Sequence, residues 1–232
     1  MTYFRHVSYL LLALCFLSCN WLLKPVRKPA SDSAIARPVL PATPFGWVGW
    51  LKKNYPDWYF ESSRLDKDKA PWPAPFNPDS NPIYAHNELL ILNLKPDQVF
   101  EVMIHASRWI DFYPNTDQPH VTGSNPPQVL ESLTAMSRFD WTTFSVTQHM
   151  KITEFVKSPQ ESRLAWSGGS LGTSVYLRWI MRSTGDGTEV TLEECERGVA
   201  PVFDNFLLNP AIRATHQLWL ENLKKYILKE PI

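Results

Sequence analysis

The sequence predicts an α+β domain over residues 83–229, in which an antiparallel sheet is followed by one long C-terminal helix. Two patterns support this prediction. Apolar residues recur with period two in five consecutive runs, and connections of hairpin length separate most of these runs. The C-terminal part of the chain instead carries one continuous apolar stripe at helical period. Strands in succession followed by a helix exclude an alternating β/α arrangement.

The domain is predicted to open with one strand and two helices. Residues 83–93 are rich in β-forming side chains and predict the first strand. Pro96 suits the first position of a helix and Asp97 complements the helix dipole, so the first helix should begin there. A second, short helix is expected from Trp109 and should end before Pro114.

Five runs with period two predict the meander that follows: 137–146, 148–156, 163–167, 174–182 and 188–196. Turn-forming residues separate the last four of these runs, namely 157–161, Gly168-Gly169-Ser170 with Gly172, and 184–187. No clean strand is predicted over residues 117–133, because Pro126 and Pro127 interrupt it.

The long terminal helix is predicted from residue 201 to residue 229. Its apolar stripe consists of Ile212, His216, Trp219, Leu223 and Tyr226 with Ile227. Pro210 lies inside this helix and should interrupt or kink it, because proline lacks the amide hydrogen that the helix needs.

The first 23 residues have the pattern of an export signal. A short basic region precedes an apolar run over residues 7–17, and Cys19 follows closely. The sequence Phe16-Leu17-Ser18-Cys19 resembles the lipobox of bacterial lipoproteins, in which the cysteine is lipidated and becomes the first mature residue. We therefore expect a lipoprotein of the bacterial cell envelope, with Cys19 as the lipidation site.

Two alternatives for this segment stay open. One is an uncleaved anchor over residues 7–23, whose following basic residues Lys24, Arg27 and Lys28 would leave the domain on the cytoplasmic side. The other is simple cleaved secretion. Each of the three interpretations involves the membrane during biogenesis.

Two further segments separate this signal from the domain. Residues 24–44 are rich in proline and predict an extended tether. Residues 45–82 form an aromatic, proline-rich arm, in which Trp47, Trp50 and Leu51 fall at helical spacing. This arm could rest on a lipid surface with its lysines at the headgroups. We favour the alternative that it packs on the domain.

Composition excludes several classes of function. Lysine plus arginine equals aspartate plus glutamate at 23 each, so no nucleic-acid partner is expected. Cys195 is alone in the folded part, so it cannot form an internal disulfide and should be a small buried side chain. The histidines show no ligand spacing, and we expect no metal and no cofactor. The common catalytic and nucleotide-binding motifs are absent from the sequence.

Several short segments, taken in order, resemble one family. They are LKPDQVFEV at 94–102, WIDFYP at 109–114, ITEF at 152–155, RLAW at 163–166, GDGTEVTLEE at 185–194 with Gly198, and WLENLK at 219–224. This order is similar to that of the SRPBCC superfamily, the START-like or helix-grip fold shared with polyketide cyclase/dehydratase-like proteins and the birch-pollen allergen group. The resemblance implies that the sheet curves around the terminal helix and leaves a cavity for hydrophobic or amphipathic ligands.

Strand alternation and the helical stripe then give candidate ligand-binding residues on the concave side. From the sheet they are Phe139, Trp141, Met150, Ile152, Trp166, Leu177, Trp179, Val190 and Leu192. From the terminal helix they are Phe203, Leu207, Ile212, His216 and Trp219. Large aromatic side chains can line a cavity or fill it, and for any single residue we favour plain core over ligand contact.

Polar candidates for catalysis are few. Glu194 shares the parity of Val190 and Leu192, so it could point inward as a buried acid with a raised pKa. The simpler alternative, which we favour, is that the strand end exposes Glu194 to solvent. His216 lies on the apolar stripe, where a lone histidine is usually a satisfied core residue. His149 alternates with residues that suggest an outward face.

These patterns rank three hypotheses for function. The first is a membrane-tethered, non-enzymatic protein that binds a lipid or another hydrophobic small molecule between the sheet and the terminal helix. The second is a cyclase/dehydratase-type enzyme that uses Glu194 and His216 for acid–base chemistry. The third is an envelope scaffold that binds a protein partner through the aromatic arm and the sheet edge.

Overall fold

A computed structural model describes residues 41, 43–60, 71–81, 83–170 and 172–232 of the chain. In the terminal helix, the side chains of residues 199–207 are not described. The predicted signal segment 1–23, Cys19 and nearly all of the predicted tether lie outside the described residues.

The domain is built on one curved sheet of seven strands, in which every neighbouring pair is antiparallel. The order across the sheet is β1-β7-β6-β5-β4-β3-β2. The strands are β1 Ile83–Leu92, β2 His120–Val121, β3 Arg138–Thr143, β4 Val146–Val156, β5 Glu161–Ser170, β6 Thr173–Ser183 and β7 Gly187–Gly198. The meander predicted from the period-two runs is confirmed, and only two residues of segment 117–133 form a strand.

Within the described residues, four short α-helices, one 3-10 turn at Ala106–Arg108 and one long α-helix complete the fold. The α-helices are α1 Pro44–Asn54, α2 Pro56–Phe60, α3 Pro96–Ile104, α4 Trp109–Phe112 and α5 Val199–Leu228. Proline occupies the first position of α1, α2 and α3, where its missing amide hydrogen costs nothing. α5 packs against β1 and β7 on the concave side of the sheet. This is the predicted α+β, helix-grip arrangement.

Two local predictions were wrong. Of the interruption or kink predicted at Pro210, the interruption is wrong, because α5 continues through it to Leu228, and the kink stays a prediction. Packing on both sides of the helix, against the sheet and against α1 and α2, outweighs the loss of one backbone hydrogen bond. Gly168-Gly169-Ser170 lie within β5 and not in a turn, because they pair with residues 173–175 of β6.

The aromatic arm packs on the domain at two places. Trp47 and Leu51 of α1 are fully buried, and α1 and α2 contact α5 around Ala211 and Ala214. Thr43 caps α1 by accepting a hydrogen bond from the Gly46 amide at 3.1 Å. The second part of the arm, residues 71–81, lies on the outer face of the sheet. The packing that we favoured from the sequence is confirmed. No helix among the described residues is both long and apolar enough to cross a bilayer.

Candidate functional site

The concave face of the sheet is lined by the residues that alternation assigned to it. All nine sheet candidates are buried in the main core cluster, together with Trp219 of α5. Ile212 lies in a neighbouring cluster with Ile83 and Ala85. The side chains of Phe203 and Leu207 lie outside the described residues. The inward orientation is therefore confirmed where it can be seen, while a role in ligand binding stays a prediction.

Aromatic rings fill the centre of this concave space. Tyr113 stacks on Trp219 with ring centroids 4.0 Å apart, and Trp179 meets Trp219 edge-on at 4.7 Å. Trp109 stacks on Trp166 at 5.3 Å. Trp109 belongs to α4 and Tyr113 follows it directly, and sequence alternation, which concerned only strands and the long helix, did not assign them to this cluster. Around these rings, side chains occupy the space between the sheet and α5.

Three indole groups of the cluster keep an unsatisfied donor. The buried Nε1 atoms of Trp166, Trp179 and Trp219 have no hydrogen-bond partner within the described part of the chain. By contrast, Trp109 Nε1 donates to the Met103 carbonyl at 2.8 Å. A buried donor without an acceptor costs about 1–3 kcal/mol, so three such groups in one cluster are unusual.

Glu194 and His216 are brought together on the concave side. Glu194 projects inward from β7 and is only 8% exposed, and His216 projects from α5 and is 3% exposed. Glu194 Oε2 lies 3.3 Å from His216 Nε2. The solvated Glu194 that we favoured from the sequence is therefore wrong, because α5 covers this end of the strand. The inward alternative holds.

Glu196 is a third member of this cluster that the sequence analysis missed. It lies two residues beyond Glu194 on the same face of β7, is also 8% exposed, and shares a hydrogen bond with the Glu194 carboxyl group. Strand parity alone could have identified it. Burial raises the pKa of Glu194 to about 7, although the hydrogen bond from Glu196 acts in the opposite direction. Burial and then repulsion from Glu194 raise the pKa of Glu196 well above its ordinary value.

The imidazole of His216 is neutral in this setting. Burial lowers its pKa to about 3, although the charge of Glu196 acts to raise it. A distance of 3.3 Å from a carboxyl oxygen would also suit an ion pair, but burial of both partners opposes charge on either. A protonated Glu194 that donates to Nε2 therefore describes the pair near pH 6. His216 Nδ1 is buried and has no partner in the described part of the chain.

The outer face of the sheet carries a second buried polar network, which the sequence analysis also missed. Arg178 Nε donates to Glu193 Oε2 at 2.6 Å, and the Tyr84 hydroxyl donates to Glu193 Oε1 at 2.7 Å. His86 Nδ1 lies 3.0 Å from the same oxygen. Burial acts to raise the pKa of Glu193, but the hydrogen bonds from His86, Tyr84 and Arg178 and the charge of Arg178 lower it overall. Only the strand register, which a single sequence does not reveal, places these residues side by side.

The arm covers this network. The indole of Trp72 lies over the Arg178 guanidinium, 4.1 Å from ring centroid to Cζ, and contacts Tyr84 and Tyr176 edge-on at 5.7 Å. A cation over an aromatic face is attracted to it, and more strongly when both are shielded from water. The network therefore anchors the arm to the sheet.

Other candidate chemistry is located as follows. His149 points outward from β4, with Nδ1 2.8 Å from Asp140 Oδ1. Cys195 is buried, as expected, and burial raises the pKa of its thiol to about 12. Within the described ranges, no three histidine, cysteine or acidic residues lie close enough together to hold a metal ion. Clefts of about 360 and 440 Å³ lie on the outer face, beside residues 72–80 of the arm.

Comparisons with known proteins agree with the fold. No protein-family model matches the chain, and neither does any curated protein. Hypothetical protein jhp0584 from Helicobacter pylori has a similar structure, with 24% identity and a TM-score of 0.61 over 71% of this chain and 99% of that one. At this identity the likeness shows a shared fold and nothing more.

Two further solved structures are less similar to this chain. The ZhuI aromatase/cyclase from Streptomyces sp. R1128 is 12% identical with a TM-score of 0.47, over 63% of this chain and 94% of that one. The protein Ara h 8.0201 is 11% identical with a TM-score of 0.44, over 63% of this chain and 98% of that one.

Proposed function

We propose that this protein binds a hydrophobic small molecule or lipid between the sheet and α5. The polar end of the ligand lies against Glu194, Glu196 and His216. The proposal rests on the fold, on the apolar concave face and on the polar cluster at one end of it. Ligand sites of this kind are mostly apolar and carry a few polar groups that fix orientation.

The position of the polar cluster decides where the ligand lies. Aromatic rings in mutual contact occupy the centre of the concave space, so the ligand belongs at the end where α5 begins. Glu196 pairs with Ile83 in β1, and Glu194 pairs with Ala85. Ile83 and Ala85 form an apolar cluster with Ile212, which gives the body of the ligand a surface beside the acids.

One observation carries the proposal, namely the buried Nδ1 atom of His216, which lies beside two buried acids and has no hydrogen-bond partner among the described residues. A polar atom in this state costs folding free energy unless something satisfies it. A ligand hydroxyl or carbonyl group at this end of the interior would do so. The carboxyl oxygens of the neutral acids that remain free would accept hydrogen bonds from the ligand without placing a charge in the apolar space.

We propose further that the N-terminal segment tethers this domain to a membrane of the bacterial envelope through lipidated Cys19. The support is the signal-like pattern of residues 1–23 and the lipobox resemblance. A Cys19→Ala variant should leave the membrane fraction and appear in the soluble fraction. A variant that still fractionates with membranes would refute lipidation as the tether and favour the uncleaved anchor.

Native mass spectrometry of the full-length chain from its own host tests the ligand. We expect a co-purifying apolar molecule, released on unfolding and reduced in a His216→Leu variant. Glu230→Gln is the matched control, because Glu230 is exposed near the C-terminus. A wild-type protein that is reproducibly empty would refute the container and favour a scaffold for a protein partner.

The acid pair supports a second candidate function, acid–base catalysis of the cyclase/dehydratase type. Two carboxyl groups that share a proton beside a neutral imidazole can donate and accept protons near neutral pH. The test is to incubate the co-purified molecule with fresh protein and to follow its mass. Conversion by wild type that is lost in Glu194→Gln, with binding retained, would establish catalysis. Unchanged mass with wild type would exclude it for that ligand.

A further inference from the structure

A cleft on the outer face of the sheet has a basic lining. It lies between Pro75 and Phe76 of the arm and the outward residues of β3 to β7, on the opposite side from the Glu194–His216 cluster. Its volume is about 360 Å³, which is within the usual range for small-molecule sites. Its basic lining residues are Arg138, His149, Lys151 and Arg197.

No acid balances three of these four groups. His149 is paired with Asp140 at 2.8 Å. Arg138, Lys151 and Arg197 have no carboxylate within ion-pair distance in the described part of the chain, and no aspartate or glutamate lines the cleft. The chain as a whole has no net charge, so this concentration of positive charge is local.

The strand register makes the arrangement costly without an anion. Arg138 and Lys151 are direct cross-strand partners in β3 and β4. Like charges placed directly opposite each other destabilise a sheet. An anion bound between the two side chains would attract both, so the closeness of the two cations would then stabilise the sheet.

A glycine that adjoins the cleft, Gly169, lies beside the lining residues Gly168 and Ser174. In the outward row that runs His149, Gly169, Ser174 and Arg197 across four strands, position 169 has no side chain. The backbone there has φ +154°, and a Cβ would lie 1.9 Å from the Thr173 carbonyl oxygen, so only glycine fits. Ser167 and Ser174 line the cleft beside the basic residues, so their hydroxyl groups can contact a ligand there.

The wall opposite these residues is apolar. Phe76 packs on Tyr176 with ring centroids 5.6 Å apart, and Pro75 continues the same wall. We propose that this outer cleft binds a small organic anion, a phosphate or carboxylate group on an apolar body. The anion contacts Arg138, Lys151 and Arg197, and the body lies against Phe76. Such a group occurs both in free small molecules and in lipid headgroups.

Calorimetric titration of the full-length chain in neutral-detergent micelles tests this site. The probes are phenyl phosphate, inorganic phosphate, neutral phenol and phosphatidylglycerol added to the micelles. We expect phenyl phosphate to bind more tightly than inorganic phosphate or phenol, because it engages both the cations and the apolar wall. Binding of phosphatidylglycerol would assign the anion to a lipid headgroup. Binding of phenyl phosphate alone would assign it to a free molecule.

Charge-neutralising variants locate the binding. Arg138→Gln and Lys151→Gln should each weaken it about tenfold, since one charge-assisted contact is worth about 1.4 kcal/mol. Both side chains are exposed, so neither change threatens folding. Lys53→Gln, at an exposed position of α1, is the matched control and should have no effect. Absence of binding by phenyl phosphate and by phosphatidylglycerol, or binding that Arg138→Gln and Lys151→Gln leave unchanged, would overturn the proposal.

Discussion

Glu193 and Glu194 are consecutive in β7, yet their carboxyl groups lie on opposite faces of the sheet and their pKa values shift in opposite directions. Glu193 points outward, where an arginine, a tyrosine and a histidine stabilise its charge and lower its pKa. Glu194 points inward, where burial raises its pKa to about 7. One strand thus supports a permanent anion on one face and a titratable acid on the other.

The inward acids should make the protein less stable as the pH rises. Because the folded-state pKa of Glu194 is raised from 4.5 to about 7, its stabilising contribution is complete below pH 4.5 and is lost as the pH rises through 7. The pKa of Glu196 is raised as well, so Glu196 adds to this loss of stability as the pH rises. His216, with a pKa lowered from 6.5 to about 3, acts oppositely, but only below pH 6.5.

We therefore expect the free energy of unfolding to fall between pH 6.5 and 7.5, by about 0.7 kcal/mol from Glu194, whose folded-state pKa lies at the middle of this window, and by up to about 1.4 kcal/mol from Glu196. Denaturant titrations at several pH values measure this slope. Glu194→Gln should flatten it, whereas Glu230→Gln at an exposed position should leave it unchanged. Equal slopes in wild type and Glu194→Gln would show that the acid is not buried in solution.

Breaking the outward pair should be costly. Glu193→Gln leaves Arg178 buried without its counter-charge, so the free energy of unfolding should fall by about 3 kcal/mol. Glu154→Gln removes a partly exposed partner of Arg163 at 3.6 Å and should cost less than about 1 kcal/mol. Chemical denaturation measures both.

A double variant distinguishes the loss of the ion pair from the cost of leaving one buried charge unpaired. Arg178→Met with Glu193→Leu should be more stable than Glu193→Gln alone, because no buried charge is left uncompensated. If the double variant proves no more stable than the single one, the cost does not come from the unpaired arginine.

The two glycines at positions 168 and 185 should respond differently to alanine. At position 168 a Cβ would lie 1.9 Å from the His149 carbonyl oxygen, so β4 and β5 would have to separate. Gly168→Ala should lower the free energy of unfolding by about 2–4 kcal/mol. At position 185 a Cβ would meet nothing within 4 Å, so Gly185→Ala should be nearly neutral. Thermal unfolding compares the two, and equal effects would contradict the close strand approach.

Replacing the proline inside α5 should stabilise the protein. Pro210→Ala restores an amide donor and a better helix former at a half-buried position, with an expected gain of about 1–3 kcal/mol. Pro56→Ala at the exposed first position of α2 is the matched control, where the missing donor costs nothing. Thermal unfolding measures both, and destabilisation by Pro210→Ala would mean that the proline ring packs better than we infer.

Much of the fold could be predicted because alternation in a strand is a geometric property of the chain. Val175, Leu177, Trp179 and Met181 share a parity in the sequence and share the concave core in the structure. The same parity that points to Glu194 also includes Glu196, so strand alternation alone predicts this second inward acid.

The features that the sequence did not predict depend on contacts between distant parts of the chain. Glu194 is buried because α5 covers the end of β7, and a local pattern carries no information about that cover. The pairing of Arg178 with Glu193 requires the register between β6 and β7, and its shielding requires Trp72, more than 100 residues earlier. Pro210 remains inside α5 because tertiary packing outweighs the poor helix propensity of proline.

The aromatic cluster described above also has an optical consequence. Trp109, Trp141, Trp166 and Trp219 are all mutual neighbours, with every pair of ring centroids between 5.3 and 6.5 Å apart. At such separations the electronic transitions of indoles couple, so the four rings absorb and share excitation as one asymmetric chromophore. The near-ultraviolet circular dichroism of the protein is thus tied to the packing of α5 on the sheet, and a molecule that parts these rings alters the spectrum directly.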